Sequence, residues 1–275
     1  MIVDVSRGRE EVGETLNGGR HRPWRPSPTT LLLLGVILAG WLFSIWAELT
    51  GAAAAFHHHS LYHAVADGGL PLWLPVLQLT AAWQVMTAAM MLPSSLPMIR
   101  LYAITSRRAP GWPYSLLLFL VAYFAVWTGF AVPALLGDMA LHRLVHAWPW
   151  LEENSRLIPS ATFALAAVWQ LTPFKDACLR ECRHPGPFLQ RYYGRGARAA
   201  LLLGLRHGLF CLGCCWALML VMFAAGVAHL AWMGVLGLIM LAEKALPGGD
   251  RLTLPVGAGL AALAVLALTT PIPGI

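Results

Sequence analysis

The sequence predicts an all-α protein, a polytopic transmembrane helix bundle of about seven spans with the N-terminus cytoplasmic and the C-terminus outside. Three observations predict it: the composition, the recurrence of apolar stretches of spanning length, and the alternation of basic residues between the loops that join them. Of 275 residues, 58% are hydrophobic and 12% charged, whereas soluble globular chains carry about 25% charged residues. Twelve Trp against six Tyr and ten Phe fit a chain whose indole rings sit at the water–lipid interface. The net charge of +6 invites a nucleic-acid partner. The charges are spread over alternate loops and form no basic face, so the partner they indicate is the lipid bilayer and nucleic acid is excluded.

Crossing a hydrocarbon layer of ~30 Å takes ~20 residues of helix. The clearest stretches are Leu31 to Leu49, Leu74 to Leu92 and Tyr114 to Leu136. A weaker fourth, Leu157 to Phe174, is short and ends at a proline. The fifth, Ala199 to Val227, reads as the longest; Leu230 to Ala245 follows after almost no connector, and Leu252 to Leu268 closes the set. Residues 1–28 are rich in Arg, Gly and Pro and are expected to be a disordered cytoplasmic tail, leaving 29–275 as a single transmembrane domain. The Ala-rich run after the first span is read as following an uncleaved anchor, because that span exceeds a signal core of about 7–15 residues.

Lys and Arg orient the stack. Sixteen of the nineteen lie on one side: five in the tail, Arg100, Arg107 and Arg108 after span two, six between Lys175 and Arg198 after span four, and Lys244 and Arg251 after span six. Arg143 and Arg156 fall on the other side, and Arg206 lies in span five. Strict alternation over seven spans supports both the count and the orientation. There is no nucleotide-binding P-loop pattern, which argues against ATP-driven pumping by this chain alone.

The polar residues inside these spans carry the chemistry. Span five holds His207, Cys211, Cys214 and Cys215 in RHGLFCLGCCWALMLVM. At about 100° per residue, with His207 at zero, Cys211 falls near 40°, Cys214 near −20°, Cys215 near 80° and Met222 near 60°, while Met219, near 120°, sits off the edge of the stripe. Soft sulfur with one imidazole is a ligand set for Cu(I), with Zn(II) the second choice. The structural alternative is that these thiols behave as small apolar groups that let helices approach. Span two adds Met86, Met90, Met91 and Met98 in WQVMTAAMMLPSSLPM, where Pro93 and Pro97 point to a broken helix lining a cavity. A third group, Cys178 and Cys182 with His184 in WQLTPFKDACLRECRHP, lies in a cytoplasmic loop. There the thiols stay reduced, with Arg180 and Arg183 expected to favour the thiolate and Lys175 and Arg183 to serve as headgroup anchors.

Histidine has the opposite distribution, with His57, His58, His59, His63, His142, His146 and His229 on the outer side. Asp138, His142 and His146 share a face if that stretch is helical. Glu243 beside Lys244 reads as a paired helix end, and Gly204-x-x-x-Gly208 as helix-packing vocabulary.

Those three blocks, with the span-five block running from Gly204 to Lys244, resemble a bacterial family of predicted metal-binding integral membrane proteins of unknown function, some labelled copper chaperones. The likeness spans about residues 74–244 and is most specific at Cys-Leu-Gly-Cys-Cys-Trp. It implies a multi-pass membrane protein with a copper role, and its motif carries over to Met90, Met91, Pro93, Cys178, Cys182, Cys211, Cys214, Cys215 and Met219; the bacterial inner membrane is the expected location. His229 stands where relatives are expected to carry Asn or Ser.

The leading reading is Cu(I) handling, as transfer, transport or cuproenzyme assembly, with a copper-donor or cuproenzyme-assembly protein as partner. The metal would lie between spans two and five and pass to or from the loop thiols. Alternatives are a membrane thiol oxidoreductase using Cys211 with Cys214 or Cys215, and a structural membrane subunit.

Overall fold

The computed structural model describes residues 27–52, 71, 73–225 and 229–270, with the backbone alone for 223–225. The tail up to residue 26 and the histidines at positions 57, 58, 59 and 63 lie outside the described residues. All regular structure among the described residues is helical.

Helix α1 (Pro28–Leu49) opens at the last residue of the expected tail. Ser27 caps it, accepting from the Thr30 amide at 3.2 Å, and Pro28 occupies the first turn, where a missing N–H costs nothing. Leu31, Leu32, Leu38, Leu42 and Trp46 are turned outward while Leu33, Ile37 and Ala47 are buried. One stripe therefore faces protein and the rest is apolar surface suited to lipid.

Helix α2 (Trp73–Ser106) packs on α1 and, contrary to expectation, runs unbroken through Pro93 and Pro97. The reason is local. Pro93 has no N–H to give the Ala89 carbonyl, and the indole Nε1 of Trp41 in α1 donates to that carbonyl at 3.1 Å.

Helix α3 (Trp112–Ala147), at 36 residues, is longer than the 29-residue α8 (Ala197–Ala225), which the sequence had suggested as the longest. It carries Asp138, His142 and His146 on one helical face. His142 Nδ1 lies 3.7 Å from Asp138 Oδ1, and His146 Nδ1 lies 3.9 Å from Glu152, in the short α4 (Pro149–Glu153).

Helix α5 (Leu157–Gln170) covers only about 21 Å at 1.5 Å per residue. It stops before Pro173, and the chain turns by 66° into α6 (Pro173–Arg183), which Thr172 caps. Then come α7 (Pro185–Tyr192), α8, α9 (Leu230–Ala245), a 3-10 turn (Gly249–Leu252) and α10 (Thr253–Thr269).

Among the described residues, five helices are long and apolar enough to span: α1, α2, α3, α8 and the turn with α10. The bent α5–α6 pair makes a sixth at most. Helix α9 has the bounds read from the sequence, but its 16 residues fall short, since Leu246 is held extended before Pro247.

Helix α8 is the axis of the bundle, packed most extensively on α3 and also on α5, α6 and α9. Glycine sets the α3 approach: a Cβ at Gly204 would stand 2.9 Å from Phe119 Cα, and one at Gly208 3.0 Å from the Val126 side chain. Gly204→Val is expected to destabilise the protein by about 1–3 kcal/mol through overpacking. Thermal unfolding in detergent would register this as a lowered midpoint; an unmoved midpoint would mean that the seam gives way freely.

Candidate functional site

The polar side chains inside the bundle converge where α2, α3, α8 and α9 meet. Cys211, Cys214 and Cys215 are each about 1% exposed. Helix geometry places the last two one turn after Cys211, and both thiols donate to its carbonyl, from Cys214 at 3.1 Å and Cys215 at 2.9 Å. Their sulfur lone pairs remain free to face other partners. Cys215 Sγ lies 3.8 Å from Met91 Sδ of α2. Cys211 Sγ lies 3.3 Å from the Tyr123 hydroxyl of α3, which in turn accepts from Ser95 at 3.2 Å. The site is therefore assembled by four helices and does not depend on one stripe alone.

The cation at its centre is Lys244. Its Nζ lies 3.2 Å from Cys211 Sγ, 3.4 Å from Ser94 Oγ, 3.8 Å from Cys215 Sγ and 4.0 Å from Met91 Sδ. Sequence reasoning took Lys244 and Glu243 as one paired helix end. The two side chains instead diverge, because successive residues on a helix point about 100° apart. Glu243 turns to α5 and α6, where Lys175 Nζ donates to its Oε2 at 2.7 Å and Gln170 Nε2 to its Oε1 at 2.9 Å; Lys175 also bonds Gln170 Oε1. Lys175, expected at the headgroups, is fully buried in this triangle. Arg183 is likewise committed to protein, bonding the carbonyls of Glu243 and Leu246 and lying 3.5 Å from Asp250.

The loop thiols lie on α6, against α8. Cys182 Sγ approaches Cys214 Sγ to 4.0 Å, and both Cys178 and Cys182 are partly exposed. A Cβ at Gly213 would stand 2.6 Å from Cys178 Sγ, so the sulfur occupies the space that glycine leaves, and the Gly213 carbonyl accepts from Trp169 Nε1 at 3.0 Å. The expectation that Arg180 and Arg183 would favour thiolates there is corrected. Arg183 faces the α9 end and Arg180 is exposed. Burial, with Cys214 and Glu181 close by, raises the Cys178 thiol above its ordinary value, and the hydrogen bond with Cys214, with burial second, raises Cys182.

The remaining predicted residues are distributed as follows. His207 leaves the thiol stripe for an aromatic box, its ring centroid 5.6 Å from Tyr123 and 5.9 Å from both Phe119 and Phe188, with Nε2 unpartnered. Met90 packs on Gly237 of α9, and Met86, Met219 and Met222 are buried. Among the described residues, no three His, Cys, Asp or Glu side chains form a ready-made metal cluster. The converging donors are two thiols and a thioether, Cys211, Cys215 and Met91, a set suited to a soft monovalent ion of low coordination number. Sequence reasoning missed Lys244, Tyr123, Ser94 and Ser95. A charged residue inside an apolar span was the available signal for the first, and such residues mark function by default.

No curated protein matches the chain, and no solved structure matches it. Residues 80–267, well over half of the chain, match the family model described as PpoB2, copper chaperone. That match begins inside α2, takes in every sulfur group above and continues through most of α10, beyond the residue-244 limit of the sequence resemblance. The chain therefore belongs to the PpoB2 copper chaperone family.

Proposed function

We propose that this protein is an integral membrane Cu(I) carrier that holds the ion on Cys211 and Cys215 with Met91 as a neutral third ligand, and exchanges it with Cys214 and the α6 thiols. The observation that carries this reading is the convergence of those three sulfurs from α8 and α2 in an interior supported by Lys244, Tyr123 and Ser94. Cu(I) is stable with two or three sulfur ligands, and thiolate with thioether suits it better than it suits hard cations. A succession of sulfurs then leads outward. Cys215 and Cys214 flank Cys211, Cys182 lies 4.0 Å from Cys214, and Cys178 lies one turn before it on α6. An ion that changes coordination one sulfur at a time can follow that succession without ever being bare.

The proposed setting is the bacterial inner membrane, with seven crossings once the short α5 and α9 are counted beside the five helices of spanning length, a cytoplasmic N-terminus and α6–α7 on the cytoplasmic face. Supporting it, basic segments gather at one end of the bundle: Tyr102 at the C-terminal end of α2 meets Tyr193 beyond α7, with ring centroids 6.4 Å apart, and Arg183 reaches Asp250 in the turn before α10. The partner class is a soluble or membrane protein that gives or receives Cu(I) through thiols. The His207, Met86, Met90, Met219 and Met222 side chains shape the surrounding packing in this reading.

Anaerobic metal analysis of the purified protein, with and without chelator, tests the function: one Cu(I) per chain, removed by a Cu(I)-specific chelator, is the expected result. Stoichiometric zinc, or no metal together with thiols that cycle against a quinone, would favour the alternatives. The double replacement Cys178→Ser with Cys182→Ser is expected to slow Cu(I) exchange with a soluble thiol acceptor by about ten-fold or more while the bound ion is retained, since α6 lies outside the held site. Stopped-flow transfer kinetics measure it. Complete loss of bound copper in the double variant would place the α6 thiols in the holding site itself.

A further inference from the structure

Lys244 is 7% exposed, and no carboxylate among the described residues lies within ion-pair distance of it; its neighbour Glu243 is engaged by Lys175 and Gln170. An ammonium in a membrane interior is costly unless something nearby carries the opposite charge. What faces it, apart from one hydroxyl, is sulfur: Cys211 at 3.2 Å, Cys215 at 3.8 Å and Met91 at 4.0 Å.

We propose that Lys244 is the fixed counter-ion of the sulfur site and makes it select a monovalent soft cation over a divalent one, so that Cu(I) is preferred to Zn(II) by charge as well as by softness. This rests on the Cu(I) reading of Cys211 and Cys215. Two thiolates with Cu(I) carry a charge of minus one, which the ammonium brings to zero. The same thiolates with Zn(II) are already neutral, and the ammonium then leaves a net positive charge inside the bundle. Without the lysine the preference inverts, because copper leaves an uncompensated negative charge and zinc leaves none.

The test uses the full chain in detergent or nanodiscs under anaerobic conditions, with Cu(I) and Zn(II) affinities measured by chelator competition for wild type, Lys244→Met and Lys244→Arg. Lys244→Met is expected to lower the Cu(I)-to-Zn(II) affinity ratio by roughly 100-fold, and Lys244→Arg, which keeps the charge, to restore most of it. Lys244→Gln, which removes the charge but keeps a polar side chain, is expected to lower the ratio as Lys244→Met does, so the comparison stands even if the methionine variant does not fold; an unchanged ratio in Lys244→Gln would overturn the proposal. Equal affinity ratios in wild type and Lys244→Met would also overturn it while leaving Cu(I) binding intact. A wild-type protein that takes up no stoichiometric Cu(I) removes the carrier reading and this inference together.

Discussion

Cys211→Ser is expected to lower Cu(I) affinity by about two to three orders of magnitude, because a hydroxyl is a poor ligand for a soft cation. The fold should survive: serine fills nearly the same volume and can still meet the Tyr123 hydroxyl and Lys244, which lie 3.3 Å and 3.2 Å from the sulfur. Met91→Leu is expected to cost about ten-fold, since a neutral thioether adds less than a thiolate. Competition with a Cu(I)-specific chelator under anaerobic conditions reads both. Wild-type affinity in Cys211→Ser would end the case for this cysteine as a ligand. A loss in Met91→Leu as large as that in Cys211→Ser would make the thioether an equal member of the site.

The second large effect is on stability. Glu243→Gln leaves Lys175, fully buried, without its countercharge while keeping the shape of the triangle, and is expected to cost about 3–5 kcal/mol. Adding Lys175→Met should recover most of that loss, because removing both charges removes the unpaired one and leaves Gln170 a neutral partner. Unfolding in detergent, followed by Trp fluorescence with increasing denaturant, gives both values. A double variant no more stable than Glu243→Gln would assign the loss to the hydrogen bonds and not to the buried charge.

Most of the helices were legible because apolar length is a one-dimensional signal. The bounds of α9 came out residue for residue, and α8 and α10 nearly so. What the pattern could not give was how far a helix runs once polar residues enter it. Helix α2 passes Pro93 because a tryptophan from another helix supplies the missing donor, and α3 continues through Asp138, His142 and His146. The weak fourth stretch, read as short and ending at a proline, is α5, which stops before Pro173 where the chain turns by 66°.

The site was legible in part for the same reason. Spacing on one helix placed Cys211, Cys214 and Cys215 together, since a helical turn follows from sequence alone. It also put His207 on that stripe, whereas the ring turns into the aromatic box formed by Phe119, Tyr123 and Phe188. Choosing Met91 from among Met86, Met90, Met91 and Met98, and separating the directions of Glu243 and Lys244, needs the relative rotation of packed helices. No periodicity within a single segment carries that information.

Gly213 has a consequence for how such a protein meets its partners. Because that residue has no side chain, α6 seats the Cys178 sulfur against the backbone of α8, while Trp169 holds the same peptide by its carbonyl. The Lys175–Glu243 pair and the Arg183 contacts fasten the segment at further points. A thiol pair tethered in this way is a docking berth and not a swinging arm. In the proposed transfer, a protein that delivers or collects Cu(I) there would have to bring its own flexible reach, so recognition would depend on the shape of the visitor's tip more than on any excursion by this chain.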